Sequence, residues 1–113
     1  DLSVRSIERA KQEYLHGTLR ERLRRHHGDN VDCAFWGWNR AWLDPKFRDW
    51  NIEEFLPTLR VPVLVIQGAD DSYGTLRQVE ALCRGAPGEV QRLILPSCGH
   101  APHREHPDET LRK

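Results

Sequence analysis

No methionine occurs among the 113 residues, and the chain opens on Asp1. That combination reads as an excised piece of a longer protein. An excess of either charge is also missing, since 17 Lys and Arg balance 17 Asp and Glu. A domain built to neutralise phosphate would be basic, with a pI above about 9, so nucleic acid is not expected as a partner. Long apolar runs are absent too. Charged residues make up 30% and mean hydropathy is -0.70, so no stretch approaches the roughly 18 apolar residues of a membrane span. No apolar leader follows a basic start, which leaves no secretory signal to read. Cysteine is scarce: three residues, an odd number without framework spacing, read as free thiols in a reducing, cytoplasmic setting. A chain of this length supports one domain with a modest core.

What is present changes character midway. From Ser6 to His27 the sequence is dense in Arg, Glu and Leu, with Gly17 as an interruption. Ile7, Ala10 and Tyr14 share a helical face, as do Leu19 and Leu23 after the glycine. Gly28-Asp29-Asn30 marks a turn. All four Trp then fall in CAFWGWNRAWLDPKFRDW. A helix over 32–43 sets Phe35, Trp38 and Trp42 on one face, and Asp44-Pro45 ends it. Asn51 to Glu54 has the spacing of a capping box for one more short helix, stopped by Pro57.

The second half has a different period. Val61 to Ile66 is a continuous apolar, β-branched run, the pattern of a parallel strand covered on both faces. Thr75 to Gln78 is a second capping box, opening a helix that buries Leu76, Val79, Leu82 and Cys83 and closes at Gly85. Val90 to Leu95 predicts another strand. His106-Pro107-Asp108-Glu109 has proline and acids where a helix begins. The fold class is therefore α/β: a helical segment followed by a βαβ unit.

In open α/β sheets ligands bind beyond the carboxyl ends of the strands. Two polar clusters follow those ends, Gln67-Gly68-Ala69-Asp70-Asp71 and Pro96-Ser97-Cys98-Gly99-His100. Adjacent parallel strands bring them side by side. A carboxylate beside an imidazole is the orienting half of a nucleophilic triad, because the acid fixes the ring's tautomer and stabilises the imidazolium formed when the other nitrogen takes a proton.

VPVLVIQGADDSYGT followed by LILPSCGHAPHREHP resembles the C-terminal third of an α/β-hydrolase-fold serine hydrolase, of the haloperoxidase-like esterase kind. In that superfamily the acid follows a late strand in a Gly-x-x-Asp turn and the base follows the last strand in a Gly-His pair. The resemblance implies Asp71 as catalytic acid and His100 as general base, with Asp70 as the competing acid. It implies that residues 1–57 form a helical lid and 58–113 the C-terminal βαβ part of the core. Gly-x-Ser-x-Gly is absent, and Ser3, Ser6, Ser72 and Ser97 lack the strained elbow that exposes a nucleophile. The implied substrate is a small ester or related carbonyl compound, with no cofactor, and the piece alone is expected to be inactive. A non-catalytic binding module derived from the same fold is the alternative.

The remaining features have plainer readings. His100, His103 and His106 recur at intervals of three, but Pro102 and Pro107 break the helix that could gather them on a metal, so no metal is expected. Cys98 is read as a small buried thiol, and Arg20 to His27 as a solvated helix face. Tyr73 and Gly74 are turn residues. The tryptophans serve either as core or, with Trp38 and Trp42 foremost, as the wall of an apolar substrate pocket. An isolated half would leave a sheet edge open to self-association.

Overall fold

A computed structural model describes residues 2–112. It divides into two compact units, one running to Trp50 and one from Asn51 onward.

The first unit is helical. α1 spans Leu2–His16, α2 Leu19–His27 and α3 Val31–Leu43, with a short 3-10 turn Gly28–Asn30 between the last two. Gly17 does interrupt the helix. The Glu13 side chain folds over it, and its carboxylate accepts from the Thr18 N–H at 3.1 Å. Ala10, Tyr14, Val31 and Phe35 form the core, with Leu19, Leu23 and Trp36 against it. The Tyr14 and Phe35 rings stack at 3.7 Å and 7°, and Trp36 meets both edge-on. Such aromatic pairs contribute about 0.5–1.5 kcal/mol beyond the area they bury.

This stacking sets the rotation of α3, which differs from the expected one. The buried positions are Val31, Phe35 and Asn39, whereas Trp38 and Trp42 stay 36% and 43% exposed. Asn39 is tolerated inside because its Nδ2 donates to the Ile7 carbonyl at 3.0 Å. A polar network joins the three helices. The Tyr14 hydroxyl donates to Asp32 Oδ1 at 2.6 Å, and Arg20 donates to both Asp32 oxygens, at 2.9 and 2.7 Å. After Asp44-Pro45, Trp42, Phe47 and Trp50 cluster around a second stacked pair, Phe47 on Trp50 at 5.4 Å.

The second unit opens with a 3-10 helix, Glu53–Thr58, entered through Asn51, whose Oδ1 accepts from Glu53 N–H at 2.6 Å. That is a two-residue Asx turn, not the capping box to Glu54. Leu56 lies where a Cβ on Gly85 would go, so this segment packs on the helix that Gly85 ends. The unit boundary accordingly falls at 50/51, earlier than the 57/58 division expected from Pro57.

β1 (Val63–Gly68) and β2 (Val90–Leu95) form a two-stranded parallel sheet in register from Val63↔Val90 to Gly68↔Leu95. β1 starts after Pro62, which has no N–H to give, and the Val63 N–H donates to the Glu89 carbonyl at 2.9 Å. Neither strand is covered on both faces within these residues: Leu64 is 43% exposed. α4 (Arg77–Gly85) connects the strands and buries Val79. Thr75 makes no side-chain cap. Its carbonyl accepts from Gln78 N–H instead, at 3.1 Å, and Leu76 remains exposed. Two short helices follow β2, α5 (Pro102–Glu105) and α6 (Pro107–Leu111), each begun by its proline. Among the described residues no helix is long and apolar enough to cross a membrane.

Candidate active site

The register sets Gly68 opposite Leu95, so both strands end level and the two loops leave the sheet together. They are then laced by backbone hydrogen bonds, Ala69 N–H to Leu95 carbonyl and Asp70 N–H to Cys98 carbonyl, each 2.9 Å. Gly68 permits this closeness, since a Cβ there would overlap the carbonyl groups of Cys98 and Gly99.

The acid loop is a compact Asx turn. Asp71 Oδ1 accepts from the N–H groups of Tyr73 and Gly74, at 2.8 and 3.2 Å. Gln67, the last side chain of β1 before Gly68, closes the turn by donating to the Gly74 carbonyl at 2.8 Å. The Asp71 side chain is 9% exposed and that of His100 64%. His100 Nδ1 lies 3.0 Å from each Asp71 oxygen, and the Tyr73 ring lies 5.0 Å from the imidazole. Burial pushes the Asp71 carboxyl up, but the His100 hydrogen bond and the two backbone N–H groups outweigh it and hold its pKa below the ordinary carboxylate value.

The structure thus brings Asp71 and His100 together and leaves Asp70 in the loop, bonded through its backbone. A carboxylate on Nδ1 fixes the Nδ1–H tautomer and leaves Nε2 as the nitrogen able to take a proton.

The base loop is held from below. Ser97 adopts a left-handed backbone, φ 52°, and its carbonyl accepts from His106 Nε2 at 3.3 Å. The Glu105 carboxylate accepts from Gly99 N–H at 2.7 Å and Ala101 N–H at 3.0 Å. Cys98 is fully buried, its thiol pKa raised by burial and then by the surrounding carboxylates. It points to the Gly99 carbonyl at 3.8 Å. His103 is exposed on α5, while His106 lies 3.9 Å from Glu109. Among the described residues no group of three His, Cys, Asp or Glu side chains could hold a metal ion.

Trp38 and Trp42 belong to the first unit. Trp42 lines a cleft of about 170 Å³ there, with Val4, Ile7, Phe47 and Trp50; Trp38 packs against Phe35 at 5.8 Å. Sequence reasoning missed Gln67 and Glu105. The first looks like one more strand residue and the second like one acid in a charged helix, and neither belongs to a spacing motif.

No family model matches the chain, and no curated protein matches it. A solved structure does: a serine hydrolase involved in carbazole degradation (the CarC enzyme) matches with a TM-score of 0.60 and 24% identity, over 75% of this chain and 33% of that one. The chain therefore spans about a third of that hydrolase's length, and over the matched residues the two share a fold.

Proposed function

We propose that these residues are the C-terminal portion of an α/β-hydrolase-fold serine hydrolase, supplying its acid and its base. The observation that carries the reading is the contact of His100 Nδ1 with both oxygens of Asp71 beyond the ends of two parallel strands. The fold shared with a serine hydrolase supports it.

In this reading a serine outside the 113 residues attacks an ester or related carbonyl. His100 Nε2 takes the serine proton, gives it to the leaving group, and then activates water to hydrolyse the acyl-enzyme. Asp71 keeps the ring in its Nδ1–H tautomer and stabilises the imidazolium. The first unit acts as a lid, with Trp38 and Trp42 contributing apolar surface to the substrate pocket. The 113-residue chain by itself lacks a nucleophile and an oxyanion hole and is inactive.

The test is hydrolysis of short acyl esters by the polypeptide that joins these residues to a Gly-x-Ser-x-Gly segment. His100→Ala is expected to lower kcat by roughly 10^4-fold or more. An unchanged rate would remove His100 as the base, and serine-dependent turnover by the 113-residue chain alone would remove the division of roles.

A further inference from the structure

We propose that Glu105 is a positioning residue: its carboxylate clamps the peptide units on either side of His100 and so aims the imidazole at Asp71. The proposal rests on the acid–base reading of Asp71 and His100.

Three observations support it. The base loop leaves β2 through a left-handed Ser97 and passes through Gly99, neither of which stiffens a backbone by itself. Its N–H groups must find acceptors. Glu105 ends α5 and turns back beneath the loop, one oxygen on Gly99 N–H and the other on Ala101 N–H. Those two N–H groups bracket His100. With both held, the Cα–Cβ direction of His100 is set, and the side chain need only choose its rotamer.

Both bonds have an ionised acceptor, the stronger class of hydrogen bond. The Glu105 carboxyl lies below its ordinary pKa because these two N–H groups favour its charged form. The clamp matters because a misplacement of about 1 Å in a catalytic group can cost on the order of 100-fold in rate. His100 itself is mostly exposed, so packing does little to hold it.

Glu105→Gln tests the clamp in the 113-residue chain. The amide keeps the shape but offers one acceptor oxygen and turns an NH2 group toward the other N–H. Amide exchange and the His100 ring signals are read by NMR. In the substituted chain the Gly99 and Ala101 amides are expected to exchange about tenfold faster or more, the scale of a lost charge-assisted hydrogen bond. The His100 Nδ1–H signal is expected to broaden. The Val63 and Ala86 amides, bonded elsewhere in the same unit, serve as the folding control and should not change.

Unchanged exchange at Gly99 and Ala101, or an unaltered His100 signal, would overturn the proposal. If the substitution unfolds the unit, the wild-type chain decides: protected Gly99 and Ala101 amides support the clamp, and exchange at unprotected rates overturns it. Asp71→Asn separates the two readings. A His100 signal indifferent to Asp71→Asn but sensitive to Glu105→Gln would sink the acid–base reading and keep the loop clamp. The reverse pattern would sink the clamp alone.

Discussion

His100 Nδ1 sits 3.0 Å from both carboxylate oxygens of Asp71, a residue 29 positions earlier in the chain. Nothing local enforces that meeting. It follows from a parallel register that ends both strands level and from one glycine that lets the loops touch.

The glycine is Gly68. Adding a Cβ would drive it into the backbone of Cys98 and Gly99. Gly68→Ala should destabilise the second unit by about 1–3 kcal/mol, the usual cost of overpacking, and shift the resonances of both loops. Gly37 is the opposite case: it lies inside α3 with open space where a Cβ would go. Gly37→Ala should stabilise the first unit by about 0.5–1 kcal/mol. Chemical denaturation measures both, followed by tryptophan fluorescence for the first unit, which holds all four Trp, and by NMR for the second. A neutral Gly68→Ala, or a destabilising Gly37→Ala, would contradict these packing arguments.

Acid should weaken the second unit through Asp71. Its folded pKa lies below the ordinary value, so the unfolded chain binds the proton more readily. The stabilisation is present in full above the unfolded carboxyl pKa and is lost as pH falls through the folded one. Asp71→Asn should flatten that acid limb. An equally steep limb in the variant, read from exchange at the Val63 and Ala69 amides, would assign the acid sensitivity elsewhere.

A second acid limb belongs to the helical unit. The Arg20 guanidinium, then the Tyr14 hydroxyl, hold the Asp32 carboxyl down at about 2, against an ordinary 3.8. By the same sign, Asp32 supports the three-helix junction above pH 3.8 and progressively less as pH falls toward 2. The group is exposed, so the effect should be small and should shrink in salt. Helicity by circular dichroism, compared between wild type and Asp32→Asn, checks it. Identical acid titrations at low salt would contradict it.

Much of this was legible in the sequence, for physical reasons. β-branched residues and Pro62 marked β1 to within two residues, and Val90–Leu95 matched β2 outright. The pairing of Asp71 with His100 was legible because ligand chemistry gathers at parallel strand ends. The rotation of α3 was not. Spacing favoured Phe35, Trp38 and Trp42, but Tyr14 stacking on Phe35 turned the helix so that Asn39 went inside. The capping boxes at Asn51 and Thr75 also failed to form as written, because a 3-10 turn and a backbone bond satisfied the same N–H groups first. Glu105 and Gln67 act across loops, beyond the reach of any local pattern.

The acid–base couple is tested most directly by the protonation pattern of the His100 ring, read from its 15N and 1H signals at neutral pH. With Asp71 intact, Nδ1 should carry the proton, as a downfield signal in slow exchange, and Nε2 should be bare. Asp71→Asn should abolish that preference. A ring that carries its proton on Nε2 in the wild-type chain, or that is indifferent to the substitution, would contradict the account.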